Sequence, residues 1–119
     1  MLKLMDVGAD NVVAVRGSGE ITKDDYLSVL VPAAQDAFSK HDKIRVLYLI
    51  EDDAEYGAGA MFEDALLGVK HLLGWERIAV VTDIDWITKA MNGFQFLIPC
   101  PVKVFPKAEL EDAKGWIKS

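Results

Sequence analysis

The chain has 119 residues, 51% hydrophobic and 27% charged, and nineteen acids against thirteen bases give a formal net charge of −6; this composition predicts one globular domain over residues 1–119. The negative charge argues against nucleic acid as a main partner and against electrostatic binding to an anionic membrane, because both need a positive field. The one cysteine, Cys100, excludes an internal disulfide, and no apolar run is long enough for a membrane span, so we expect a cytoplasmic protein.

The first third of the chain predicts a β-hairpin followed by a helix. Residues 2–8 and 12–16 have the pattern of strands, and the short turn between them favours antiparallel pairing. Thr22 is a predicted helix N-cap, with acids in the first turn and apolar residues following at helical spacing. Pro32 predicts a kink in this helix, because it cannot donate a hydrogen bond to the carbonyl of Ser28.

The middle of the chain predicts a buried strand, an acidic connection and a second helix. Residues 44–50 form an apolar run typical of a strand buried on both faces. Residues 51–59 are acidic and contain glycine, and residues 60–73 have an apolar stripe at helical spacing. Loops of this kind, at the carboxyl end of a strand in an open α/β sheet, are where ligands and partners usually bind.

The last third adds two strands and two helices. Residues 77–82 predict another buried strand, and Asp83 or Asp85 is expected to cap a helix that runs toward residue 98. The inward stripe of that helix is predicted to be Trp86, Ile87, Ala90, Met91, Phe94 and Leu97. A short strand over 102–105 and a closing helix over 108–118 follow. The order predicts an α/β fold, a mixed, mostly parallel sheet of five strands with four helices.

Several short motifs, in this order and spacing, extend over nearly the whole chain. The first is T-x-x-D-Y with a proline six residues later (Thr22, Asp25, Tyr26, Pro32), and the second is G-A-x-x-E-D-A (residues 59–65). The third is R-I-A-V-V-x-D with a nearby tryptophan (residues 77–83, Trp86). The last is V-x-V-F before E-x-x-x-A-x-x-W-I (residues 102–105, then Glu109, Ala113, Trp116, Ile117). Together these motifs resemble the SpoIIAA-like proteins, a bacterial branch of the STAS-type fold.

The resemblance implies a sheet built by successive β-α turns, with a hairpin strand at one edge. For most of this branch it implies no established biochemical activity. The better-understood relatives, the anti-anti-sigma factors, bind a partner protein and are switched by phosphorylation of a serine at the start of the helix after the central strand. Residues 52–62, the equivalent stretch here, contain no serine or threonine. We therefore expect that this switch does not carry over.

The residues that could carry chemistry do not complete a catalytic motif. The acids at 51, 52, 53 and 55 could bind a divalent cation, but they lack the ligand spacing of an EF-hand loop, and a solvated acidic loop is the simpler interpretation. Cys100 and the histidines His41 and His71 do not form a recognisable nucleophile–base pair. We expect no metal, no cofactor and no enzymatic activity.

The leading functional hypothesis is a non-catalytic binding or regulatory module of the SpoIIAA-like type. The alternative is a small carrier of an apolar or lipid-like ligand, because ligand pockets are mostly apolar with few polar groups. The candidate ligand- or partner-binding residues are Asp52, Asp53, Tyr56, Met61, Phe62, Trp86 and Phe96.

The aromatic content also predicts self-association, as a homodimer. A chain this small that carries three tryptophans and five phenylalanines cannot bury all of its apolar side chains in one core. The helix over residues 86–98 is the expected contact, because Phe94, Phe96 and Ile98 cannot all point to the same core. The alternative is that neighbouring helices cover its second face.

Overall fold

A computed structural model of the chain describes residues 1–57 and 74–119. The strands in these two ranges are β1 (Leu2–Met5), β2 (Val12–Gly17), β3 (Glu20–Ile21), β4 (Ile44–Ile50), β5 (Glu55–Tyr56), β6 (Trp75–Thr82) and β7 (Val102–Phe105). The helical segments are α1 (Lys23–Asp25), a π turn (Tyr26–Leu30), α2 (Val31–Lys40), α3 (Asp85–Phe94) and α4 (Leu110–Lys118), with 3₁₀ turns at Gln95–Leu97 and Lys107–Glu109. The predicted helix over residues 60–73 lies outside the described residues.

A five-stranded sheet in the order β1-β2-β4-β6-β7 organises the fold. β1 pairs antiparallel with β2, placing Leu4 opposite Val15, and the other three pairings are parallel. Val15 is next to Tyr48, and Tyr48 is next to Val80, so apolar side chains continue across three adjacent strands. The predicted mixed, mostly parallel sheet of five strands is confirmed. A second, short sheet joins β3 and β5 in parallel.

The sheet separates two hydrophobic clusters because successive side chains on a strand point to opposite faces. On one face, buried strand residues such as Val15 and Tyr48 pack with the first helical segments and with Ile87 of α3. On the other face, residues such as Leu47 and Val81 pack with Ala113 and Ile117 of α4. The apolar run over residues 46–50 of β4 is thus explained, since both faces of the strand are covered.

Pro32 distorts the first helix as predicted, through a π turn. Thr22 caps the helix, and its hydroxyl accepts a hydrogen bond from the N–H of Asp25. The N–H of Val31 then donates to the carbonyl of Tyr26, five residues earlier. Pro32 consequently lies in the first turn of α2, the part of a helix that tolerates proline best.

The inward face of α3 is narrower than predicted, and Ala90 of the predicted stripe is half-buried on the side of Trp86. Ile87 is buried and Met91 packs against the same cluster, but Trp86 and Leu97 are exposed. The side chain of Phe94 lies outside the described part of the structure. The N-cap is Ile84, without a capping side chain, so the expectation that Asp83 or Asp85 caps α3 was wrong. Asp85 lies in the first turn of the helix instead.

Candidate functional site

The carboxyl ends of the parallel strands meet at one side of the sheet. Arg16 lies near the end of β2, Glu51 and Asp52 follow β4, Asp83 follows β6, and Lys107 comes two residues after β7. We call these five residues the carboxyl edge. In open α/β sheets this side is the usual place for ligands and partners.

Glu51 is the central residue of the carboxyl edge. Its two carboxylate oxygens lie 3.5 Å from Arg16 Nε and 3.5 Å from Lys107 Nζ. The Lys107 ammonium also lies 3.5 Å from a carboxylate oxygen of Asp52. The Glu51 side chain is 22% exposed and that of Asp52 is 67% exposed, so the first is enclosed by its two cations and the second faces solvent.

Lys107 links the end of β7 to the ends of β4 and β6. Besides its ion pairs, its backbone N–H donates to Asp83 Oδ1 at 3.1 Å. Desolvation of the ammonium opposes its charged form, but Glu51 and Asp52 outweigh that effect and raise the pKa of Lys107 above its usual value. The lysine is therefore a fixed cation that neutralises acids, and it is not suited to act as a proton acceptor near neutral pH.

Next to this edge, β3 and β5 hold the connection after β4 in a defined conformation. The N–H of Glu55 donates to the carbonyl of Gly19 at 2.8 Å, and the N–H of Gly57 donates to that of Ile21 at 3.0 Å. Tyr56, which we expected in an irregular acidic loop, is part of this two-stranded pair. Its half-buried side chain packs against the larger hydrophobic cluster.

The structure does not bring all the predicted site residues together. Asp52 and Asp53 are exposed after β4, and Tyr56 packs inward close by in sequence. Trp86 is exposed at the start of α3 and Phe96 in the 3₁₀ turn that follows it. Met61 and Phe62 lie outside the described residues.

Cys100, the histidines and the acids are the side chains that could bind a metal or attack a substrate. Across 1–57 and 74–119, no group of three His, Cys, Asp or Glu side chains could hold a metal ion. Cys100 is half-buried, and this burial raises the pKa of its thiol, which lowers the fraction of reactive thiolate. His41 terminates α2, and His71 is not among the described residues.

The sequence and the fold both match known proteins. The family model described as SpoIIAA-like matches residues 12–118. The chain belongs to the SpoIIAA-like family. A solved structure, an uncharacterised protein of the DUF3478 family with a SpoIIAA-like fold from Shewanella loihica PV-4, superposes with a TM-score of 0.71 at 21% identity, covering 98% of this chain and 92% of that one. No curated protein matches the sequence significantly.

This SpoIIAA-like membership confirms the resemblance drawn from the sequence motifs. In this family member, the described residues after the central strand are acidic or apolar, apart from Tyr56 and Gly57. Within the described parts of the chain, no helix has both the length and the apolar character needed to cross a bilayer.

Sequence reasoning did not identify the two cations of the carboxyl edge. Arg16 and Lys107 were not among the candidate residues, yet they hold Glu51 between them. The available signal was topological: a base near the end of β2 and another just after β7 must approach the end of β4 once the strands are parallel.

Proposed function

We propose that this SpoIIAA-like chain is a non-catalytic binding and regulatory module that presents the carboxyl edge to a partner protein. The observation that supports this proposal is that the acids after β4 differ in solvent exposure. Glu51 is enclosed by Arg16 and Lys107, whereas Asp52, which also pairs with Lys107, and its neighbour Asp53 are exposed to solvent beside it. A fixed, acidic and exposed surface is complementary to basic side chains of a partner.

The absence of enzymatic activity is part of the same proposal. Glu51 is paired with Arg16 and Lys107, and the pKa of Lys107 is raised, away from the value a general base requires. Cys100 is partly buried with a raised thiol pKa. Turnover of any substrate by purified protein, lost on substituting Glu51 or Cys100, would contradict the proposal.

A charge-reversal pair tests the partner surface. Asp52→Lys with Asp53→Lys reverses two exposed acids after β4, and Asp10→Lys with Asp42→Lys makes the same change at exposed acids before β2 and β4. Each immobilised protein is exposed to a lysate of the source cells, and retained proteins are quantified as salt is increased. We expect a salt-sensitive partner retained by the wild type and the control but not by the first variant.

The result that overturns this proposal is equally specific. If all three proteins retain the same partners to the same extent, the carboxyl edge is not the binding surface. Matching unfolding temperatures for the three proteins show that the comparison concerns binding and not folding.

The alternative function, a carrier of a small apolar or lipid-like ligand, has less support among the described side chains. Tyr56 and Met91 pack against the hydrophobic cluster, and Trp86 and Phe96 are exposed, so these residues do not line one cavity. Native mass spectrometry of the purified protein distinguishes the two functions. A stoichiometric small molecule that co-purifies supports the carrier, and its absence supports the binding module.

We also propose that the module is a homodimer. Three large apolar side chains within twelve consecutive residues are exposed: Trp86 by 58%, Phe96 by 78% and Leu97 by 63%. Exposed apolar surface concentrated in this way usually marks an interface, and two-fold dimers are the commonest assembly.

A further inference from the structure

We infer that two copies of this chain pair through the outward face of α3, with the two helices antiparallel about a two-fold axis. The inference rests on the proposed homodimer and adds its surface and geometry. The face consists of Trp86, Ala90, Gly93 and Leu97, with Phe96 beside it. We call these residues the α3 face.

The α3 face is a continuous stripe. Trp86, Ala90 and Gly93 follow the spacing i, i+4 and i+7, which places them on one side of α3 over roughly 10 Å, and Leu97 continues from them in the 3₁₀ turn that follows the helix. The core-facing stripe is the next one around the helix, where Ile87 is buried and Met91 packs against the hydrophobic cluster. Of the α3 face, Trp86, Gly93 and Leu97 are exposed and Ala90 is half-buried.

The shape of the stripe complements itself when one copy is reversed. Large side chains, Trp86 and Leu97, stand at its two ends, and the small Ala90 and Gly93 lie between them. A two-fold axis between Ala90 and Gly93 places Trp86 of one copy against Leu97 of the other. The same axis places Ala90 against Gly93, and a Cβ at Gly93 has no atom within 4 Å, so a second helix has room to approach.

The charges favour the antiparallel arrangement over the parallel one. Asp85 and Lys89 are the only charged residues from 85 to 98, they lie in the N-terminal half of the segment, and they pair with each other at 3.0 Å. In the antiparallel arrangement these charges face the uncharged C-terminal half of the second copy. A parallel arrangement would bring the two Asp85 carboxylates toward each other, and like charges at an interface repel.

The exposed area suits a small dimer interface. From their exposed fractions, Trp86 and Phe96 contribute roughly 200–340 Å² per copy, because aromatic side chains present about 150–250 Å² each. Two copies, with Leu97 and a rim of polar residues, reach the area of about 1,000 Å² that a specific interface needs. An anionic lipid surface is a poorer occupant, because the chain carries a net charge of −6 and the segment has a single lysine.

A matched pair of substitutions tests the surface. Leu97→Glu places a charge on the α3 face, and Leu4→Glu makes the identical change at a leucine of similar exposure, 58% against 63%, on β1. In sedimentation equilibrium we expect the wild type and Leu4→Glu to dimerise by about 100 µM, and Leu97→Glu to dissociate at least tenfold more readily. Phe96→Glu, at the most exposed of these residues, is the second variant if Leu97→Glu does not fold.

The direction of the helices is tested by disulfide trapping in a Cys100→Ser background. Trp86→Cys and Leu97→Cys proteins should cross-link when mixed, and neither should cross-link alone. A wild type that remains monomeric at about 100 µM refutes both the homodimer and the α3 face. A dimer that Leu97→Glu and Phe96→Glu leave intact refutes the α3 face alone. Cross-linking of Trp86→Cys with itself refutes the antiparallel arrangement. If the protein is monomeric and its Trp86 inserts into neutral vesicles, the α3 face binds lipid and not a second copy of the chain.

Discussion

Gly17, the last residue of β2, is a position where adding one methyl group should destabilise the protein. It is buried between β1, β3 and β4. A Cβ there would lie 2.8 Å from Ile21 Cδ1, 3.2 Å from Tyr48 Cε1 and 3.4 Å from Leu2 Cδ2. Ile21 has no exposed surface, so its terminal methyl cannot move aside without displacing its neighbours.

The expected magnitude follows from two opposing effects. Overpacking a well-packed core costs about 1–3 kcal/mol. Replacing glycine by alanine returns about 0.4–1 kcal/mol, because the unfolded chain loses conformational freedom. Gly17→Ala should therefore lower the free energy of unfolding by about 1–2 kcal/mol, which corresponds to roughly 0.5–1 M in the urea midpoint.

Urea unfolding followed by tryptophan fluorescence measures this change, because Trp75 is buried against the ring of Phe38. Ile21→Val removes the clashing Cδ1 atom, so in the Gly17→Ala background it should cost about 1 kcal/mol less than in the wild type. Gly115→Ala is the control: that glycine is exposed in α4 with no atom within 4 Å of its added Cβ, and its replacement should stabilise by about 0.5–1 kcal/mol. If Gly17→Ala is neutral or stabilising, or if the double variant is additive, the steric explanation is wrong.

Three further predictions concern hydrogen bonds and charges. Thr22→Ala removes the N-cap of the first helix and should cost about 1 kcal/mol in thermal unfolding. The hydrogen bond from the N–H of Thr22 lowers the pKa of Asp25 below 3.8. The ionised carboxylate therefore stabilises the fold above pH 3.8, and this stabilisation is lost as the pH falls through the folded-state pKa. Asp25→Asn should flatten that part of the acid unfolding profile. Lys107→Met should speed amide exchange at residues 51–54, and unchanged exchange would mean that the ion pairs do not brace the connection.

The strands and the covered faces of the sheet were predictable because their signal is local. β4 and β6 each contain an apolar run, residues 46–50 and 78–81, and such runs form strands buried on both faces. The break at Pro32 was predictable for the same reason, since the missing N–H belongs to that residue alone. The inward residues predicted for α4 also pack against the core, with Ala113 and Ile117 fully buried.

The features that were not predicted depend on distant parts of the chain. β3 and β5 have two residues each, too few for any periodicity, and they form only because the ends of β2 and β4 are adjacent. The ion pairs of Glu51 join residues that are 35 and 56 positions away in sequence. On α3 the apolar residues cover two adjacent sides, so the sequence could not determine which side, Trp86 or Ile87, faces the core.

The π turn in the first helix has a consequence for how this protein can change. A π turn holds one residue more than a regular helical turn, so deleting one exposed residue there, such as Leu27, converts it to an α-helical turn while the flanking core residues keep their positions. That deletion also places Pro32 in the helix interior, where its ring collides with a carbonyl. The shorter helix is therefore accessible only after Pro32 is replaced, and the two changes must be acquired in that order.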